Sequence, residues 1–85
     1  MKTFNYVIKD EVGIHARPAG LLIKAVKATG STVTIECDGK SADATKLLNL
    51  MGMGIKCGNE VTVKVEGGDE DASFETIKKF FEENL

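Results

Sequence analysis

The sequence has few of the residues that build metal sites and stable disulfides. It contains one histidine and two cysteines, Cys37 and Cys57, which lie twenty positions apart. A structural zinc site needs four ligands, so these three residues could close one only with the help of a carboxylate. Nothing in the cysteine pattern indicates an oxidising compartment. We therefore expect two reduced thiols and no bound metal.

A strong charge of one sign and a long apolar run are also missing. Eleven lysines and arginines face thirteen acidic residues, for a formal net charge of −2. A nucleic-acid binder normally carries a basic stripe, so this class is disfavoured. No apolar run approaches the ~20 residues that span a bilayer, and the first residues enter an alternating pattern without the apolar core of a signal peptide. We expect a cytoplasmic protein that inserts into no membrane and binds no nucleic acid.

The length of the chain, 85 residues, is enough for one domain and too small for two. We therefore expect a single domain over residues 1–85. A domain of this size buries a modest core, which leaves little room for a deep substrate pocket.

The spacing of apolar residues changes along the chain between a repeat of two and a repeat of three to four residues. Period-two alternation predicts strands, and apolar residues three or four positions apart predict helices. Pro18 and Gly30 mark the first turn and the end of the first helix, and Asp38-Gly39 predicts a hairpin. The predicted elements are strands at 3–9, 32–37, 40–43 and 60–66, and helices at 16–28, 47–51 and 70–83. This β-α-β-β-α-β-α order, with helices apolar on one side only, predicts a two-layer α+β fold in which one face of the sheet stays open to solvent.

The only histidine, His15, lies at a strand-to-helix junction, in the segment Gly13-Ile14-His15-Ala16-Arg17-Pro18-Ala19. Gly13 permits a turn with positive φ, and Pro18 fits a first helical turn, where its missing N–H costs nothing. Free N–H groups at a helix start bind anions, and Arg17 adds planar donors that suit phosphoryl oxygens. A neutral imidazole beside them can act as a nucleophile. A lone histidine at a helix start is more often a cap or an ordinary exposed side chain, so these residues by themselves predict an anion site with a candidate nucleophile.

The histidine segment resembles the active-site signature of HPr, the family of histidine-containing phosphocarriers of the bacterial phosphoenolpyruvate:sugar phosphotransferase system. The likeness extends along the whole chain. It includes the segments Asp38–Ser41, Leu47–Gly54, Glu60–Val63 and Gly67–Glu70. The resemblance implies an open-faced β-sandwich, in which a four-stranded antiparallel sheet of order 1-4-2-3 has three helices on one face.

The resemblance also implies a carrier rather than an enzyme. By resemblance, His15 accepts a phosphoryl group on Nδ1 from the phosphohistidine of enzyme I and passes it to sugar-specific EIIA acceptors. Arg17 would stabilise the transferring group, and Ala16 and Arg17 would supply backbone N–H groups to it. No cofactor is implied, regulatory proteins are further partners, and we expect a monomer because the carrier docks transiently.

A short stretch around the predicted second helix is crowded with apolar residues. It contains Leu47, Leu48, Leu50, Met51, Met53 and Ile55. Two helical turns cannot bury them all, and exposed apolar groups tend to mark interfaces. We expect Leu47, Leu48 and Met51, with Gly20 and Leu21 of the first helix, to form a partner-binding surface. The alternative is that most of these residues belong to the core.

One position departs from the family pattern. In many members from low-GC Gram-positive bacteria, a serine opens the second helix and is phosphorylated by a dedicated kinase. Lys46 occupies that regulatory position here, after Thr45. A lysine opposes the helix dipole and cannot accept phosphate as a serine does. We expect serine-type regulation to be absent or altered, with Thr45 either capping the helix or, like Ser41, replacing the serine.

Other functions stay open at this stage. A phosphocarrier of a nitrogen-related regulatory branch would share the histidine motif. A small ligand-binding or metal-binding module, which would use the segment Met51–Gly54 and Cys57, is disfavoured because no second thiol is near in sequence. A regulatory relative without carrier function is expected to replace the active histidine, and His15 is present.

Overall fold

The computed structural model describes residues 1–11, 13–14 and 16–85. Within them, strands and helices follow one another in the predicted order. The strands are β1 (Lys2–Val7), β2 (Thr32–Cys37), β3 (Lys40–Asp43) and β4 (Glu60–Glu66), and the helices are α1 (Ala16–Thr29), α2 (Leu47–Gly52) and α3 (Glu70–Asn84). None of these helices is both long and apolar enough to cross a bilayer.

The strands form one antiparallel sheet in the order β1-β4-β2-β3, which confirms the order that the resemblance implies. The central strand β4 pairs with β1 from Val65 to Glu60 and with β2 on its other side. Its inward residues Val61, Val63 and Val65 are fully buried. On the opposite face Lys64 and Glu36 form a partly exposed ion pair, 2.8 Å long. The sheet is therefore covered by helices on one face and left to solvent on the other.

The hairpin between β2 and β3 turns at Asp38-Gly39, as predicted. Both residues have positive φ, 52° and 79°, as a two-residue type I′ turn requires. The turn sets the register in which Cys37 lies opposite Lys40.

Strand β1 ends at Val7, so the predicted end at Lys9 is wrong. The strand ends there because the N–H groups of the next three residues donate to oxygens outside the sheet. Ile8 bonds with the loop before β4 and is almost fully buried. The N–H groups of Lys9 and Asp10 then donate to the main-chain oxygen of Leu85, at 2.5 and 2.8 Å. The chain thus leaves the sheet edge for the end of α3.

Helix α3 packs an aromatic cluster onto the β1 side of the sheet. Phe81 is fully buried, with its ring centroid 5.7 Å from that of Phe4 and 5.6 Å from that of Tyr6, both edge-on. Edge-to-face pairs at these separations stabilise beyond their buried area. Asp69 caps the helix by accepting from the Ala72 N–H at 3.2 Å.

Two buried hydroxyls join the end of α1 to the start of α3. The hydroxyls of Ser31 and Ser73 lie 2.7 Å apart, and that of Ser31 also donates to the Gly67 oxygen at 2.7 Å. Each buried hydroxyl therefore has a partner, as the cost of burying polar groups demands.

Candidate functional site

The predicted nucleophile, His15, lies outside the described residues, so the site is defined by the residues on either side of it. Ile14 is buried, with 6% of its surface exposed. Ala16 opens α1 and is exposed. A buried residue, Ile14, and an exposed residue, Ala16, therefore flank the predicted nucleophile in the sequence.

Gly13 adopts the positive φ that its place in the motif predicts, +77°. It also makes a close backbone contact that the sequence did not predict. A Cβ atom at this position would lie 2.3 Å from the Ile55 oxygen and 2.7 Å from the Lys56 Cα. The next residue, Ile14, donates its N–H to the same Ile55 oxygen at 3.1 Å. Glycine is needed at position 13 because it adopts a positive φ without strain and because there is no space for a Cβ atom.

The first turn of α1 presents donors and no competing acid. The first N–H groups of a helix have no intrahelical acceptor, and they lie at the positive end of the macrodipole of this 14-residue helix. Arg17 is exposed and, within the described part of the chain, makes no hydrogen bond or ion pair. Its guanidinium donors are therefore free to bind an anion.

Arg17 lines a small open depression beside the helix start. Its other lining residues are Asp10, Pro18, Leu21 and Asn84, and its volume is about 280 Å³. Because ligand pockets usually bury most of their ligand, so open a depression suits a group presented by another molecule rather than an enclosed metabolite.

The residues of the predicted partner surface are exposed. The exposed fraction is 82% for Leu48, 40% for Leu47, 42% for Met51 and 45% for Leu21, and Gly20 is also exposed. Helices α1 and α2, which carry these residues, pack against each other. As expected, the stretch around α2 contains more apolar residues than the core accommodates, and the remaining ones are exposed.

The core takes the remaining apolar residues of that segment. Leu50 is fully buried and Ile55 is 3% exposed, while Met53 packs partly buried against the core. Hydrophobic composition alone could not divide the six residues between core and surface.

The residues before α2 correct one prediction. Lys46, not Thr45, is the N-cap residue, and its side chain makes no capping bond. The Thr45 hydroxyl instead donates to Asp43 Oδ1 at 2.6 Å, and the Thr45 N–H donates to the same oxygen at 2.8 Å. These two bonds hold the pKa of the Asp43 carboxyl below its ordinary value. Of the two alternatives for Thr45, capping the helix is wrong, because the first helical bond, from the Leu50 N–H, goes to the Lys46 oxygen and leaves Thr45 one position before the cap.

The two cysteines have different environments. Both thiols are free: Cys37 is buried in β2 and Cys57 is exposed in the loop that follows α2. Burial, followed by the nearby Asp38 carboxylate, raises the pKa of the Cys37 thiol. Among the described residues, no three histidine, cysteine or acidic side chains are grouped to hold a metal ion.

Comparison with known proteins places the chain in a family. A family model described as the PTS HPr component phosphorylation site matches residues 2–83. The phosphocarrier protein HPr of Mycoplasma capricolum is 38% identical over 79 residues, which cover 93% of this chain and 89% of that protein. The solved structure of a histidine-containing phosphocarrier protein from Mycoplasma is 37% identical, with a TM-score of 0.88 and coverage of 93% and 90% of the two chains. An HPr dimer from Thermoanaerobacter tengcongensis is 31% identical, with a TM-score of 0.75 and coverage of 98% and 95%. The chain therefore belongs to the HPr family, the phosphocarrier proteins of the phosphotransferase system.

Proposed function

We propose that His15 is the residue on which this phosphocarrier holds the phosphoryl group. The observation that carries this assignment is the free Arg17 guanidinium in the first turn of α1, two residues after the only histidine of the chain. A helix start and an arginine together stabilise phosphoryl oxygens. The neutral imidazole is the nucleophilic form of histidine, and the reference pKa of about 6.5 for this residue type makes that form abundant near pH 7.

The transfer needs no cofactor. The tautomer of His15 that is protonated on Nε2 presents the lone pair of Nδ1 to the phosphorus. A phosphorus–nitrogen bond forms on His15 while the bond between phosphorus and the histidine of enzyme I breaks, and its electron pair returns to the donor imidazole. The second transfer, to an EIIA acceptor, repeats these steps with His15 as the leaving group.

Arg17 and the N–H groups of Ala16 and Arg17 stabilise the negative oxygens during both transfers. Such donors accelerate transfer when they bind the charge of the transition state more strongly than that of the reactants. An exposed arginine can follow the group as it moves between proteins, since no other described residue holds its side chain.

We propose that Gly20, Leu21, Leu47, Leu48 and Met51 form the surface that docks enzyme I and the EIIA proteins. The patch is apolar, and Met51 has a side chain that adapts to partners of different shape. Regulatory proteins would dock there as well. Transient docking on one shared surface suits a monomer in the cytoplasm, although a relative forms a dimer.

We also propose that serine-type regulation at the start of α2 is absent. Lys46 holds that position and carries no hydroxyl, and the Thr45 hydroxyl is engaged by Asp43. Incubation with a kinase of that class and ATP should leave the protein unlabelled. Phosphate on Thr45 or Ser41 would overturn this proposal.

The assignment of His15 is tested by incubating the protein with enzyme I and phosphoenolpyruvate. We expect one phosphate per chain that is labile in acid and stable in base, and its loss in His15→Ala. Thr45→Val is the matched control and should be labelled like the unchanged protein. A His15→Ala variant that still takes up the same phosphate would refute the assignment.

A further inference from the structure

The loop that precedes α1 is held by the segment that follows α2. We call residues Ile55–Asn59 the clamp segment. Three main-chain hydrogen bonds join it to the loop: from the Ile8 N–H to the Asn59 oxygen (2.9 Å), from the Gly58 N–H to the Ile8 oxygen (2.8 Å), and from the Ile14 N–H to the Ile55 oxygen (3.1 Å). Because these bonds lie at both ends of the loop, the clamp segment fixes where the main chain stands just before residue 15.

The contact is tightest at Gly13. The two atoms that a Cβ would strike there, the Ile55 oxygen and the Lys56 Cα, both belong to the backbone. A flexible side chain could move aside, whereas these atoms could move only with the whole clamp segment. To bring the 2.3 Å contact to the 3.4 Å of ordinary van der Waals contact, the two backbones must separate by about 1 Å.

The clamp segment is continuous with the end of the proposed docking helix. The N–H groups of Met53 and Gly54 donate to the oxygens of Leu50 and Met51, each at 3.3 Å, and close the end of α2. Leu50 on one side and Ile55 on the other are buried in the core. One short anchored stretch of backbone therefore leads from α2 to the contact with Gly13.

We infer that Gly13 is a positioning residue, through which the clamp segment sets the rate of phosphoryl transfer. This inference rests on the proposed function of His15. Transfer between two proteins requires the reacting nitrogen and the phosphorus to be aligned, and a misplacement of 1 Å can cost about 100-fold in rate. The separation that a side chain at position 13 imposes is of that size, and it falls two residues before the nucleophile.

The test compares Gly13→Ala with Gly30→Ala. Both glycines have nearly the same positive φ, +77° and +74°, but a Cβ at position 30 meets no atom within 4 Å. The second variant therefore matches the backbone strain of the first without the collision. Both are assayed for phosphorylation by enzyme I at a temperature at which circular dichroism shows each to be folded.

We expect kcat for phosphorylation to fall about 10- to 100-fold in Gly13→Ala, with KM changed less than about threefold, because no side chain of the docking surface is replaced. Gly30→Ala should keep the kcat of the unchanged protein. An NMR titration should show a displaced pKa for the His15 ring only in Gly13→Ala. Equal kcat values and equal His15 titrations in the two folded variants would overturn the inference.

A second variant covers the case in which Gly13→Ala does not fold. In this variant, made by chemical synthesis, an ester replaces the amide that carries the Ile14 N–H. The ester removes the hydrogen-bond donor to the Ile55 oxygen and adds no side-chain atom that would clash with the clamp segment. We expect a fall in kcat of about three- to tenfold, and an unchanged kcat would count against the clamp. The variant His15→Ala distinguishes failure of the proposed function from failure of the inference about Gly13. If His15→Ala still takes up phosphate, the proposed function is refuted. If His15→Ala takes up none but Gly13→Ala is phosphorylated at the normal rate, only the inference about Gly13 is refuted.

Discussion

Leu48 offers the sharpest test of the proposed docking surface, because 82% of its surface is exposed on α2. Burying a leucine side chain fully contributes about 1.5–3 kcal/mol. If a partner covers the exposed part and alanine retains the Cβ, Leu48→Ala should weaken binding by about 1–2 kcal/mol. This corresponds to a roughly 5- to 30-fold rise in KM for phosphorylation by enzyme I.

The assay is steady-state phosphorylation with the carrier as the varied substrate of enzyme I. The kcat should stay unchanged, because Leu48 binds the partner equally before and during the transfer. The unfolding temperature should also stay unchanged, since the side chain makes little contact within its own chain.

Leu50→Ala is the matched control, the same substitution two positions along the same helix. Leu50 is fully buried, so this change should cost about 2–5 kcal/mol of unfolding free energy. An unchanged KM in Leu48→Ala, or a loss of stability in Leu48→Ala equal to that in Leu50→Ala, would refute the division of this segment into surface and core.

Three further predictions concern the anion site, the hydroxyl pair and the response to acid. Arg17→Ala should slow transfer from enzyme I by about 10- to 100-fold in stopped-flow assays while leaving the unfolding temperature unchanged; a normal rate would remove Arg17 from the site. Ser73→Ala should lower the free energy of unfolding in urea by about 0.5–1.5 kcal/mol, because it removes the hydrogen bond between the two hydroxyls while Ser31 keeps its bond to the Gly67 oxygen. If the effects of Ser73→Ala and Ser31→Ala were fully additive, the two hydroxyls would not interact. The pKa of Asp43 lies below its ordinary value of 3.8, so its contribution to stability is complete above about pH 5 and is lost as the pH falls through the folded pKa. Thr45→Val should raise the pKa of Asp43 in a carbon-detected NMR titration, and an unmoved pKa would contradict the bonding described here.

Local patterns were enough to predict most of the elements. The alternation of buried valines with polar residues gives β4 its predicted bounds, because a strand with one buried face repeats every two residues. The Asp38-Gly39 turn was predictable for the same reason, since few residue pairs tolerate two positive φ angles.

Features that depend on distant partners could not be predicted in this way. The end of β1 at Val7 is set by acceptors near residues 59 and 85, which no local pattern reveals. Thr45 is a good helix cap by residue type, but α2 begins one position later, so Lys46 is the N-cap residue and the Thr45 hydroxyl donates to Asp43. The order of the strands came from the resemblance and not from patterning.

The site shows the same division between local and distant causes. The positive φ at Gly13 was predictable from the turn, whereas its contact with the backbone of Ile55 joins residues that are far apart in sequence. The exposure of Arg17 follows from its place in an amphipathic helix. The motif itself predicted an anion site, and its reading as a carrier required the family resemblance.

The most direct test of the carrier role is a pulse–chase measurement of a single transfer. The protein is phosphorylated with labelled phosphoenolpyruvate and enzyme I, separated from both, and mixed with an EIIA protein. We predict that the label leaves His15 and appears on the acceptor in equal amount. Label that stays on the chain, or that is released only as inorganic phosphate, would contradict the proposal that this protein passes a phosphoryl group between partners.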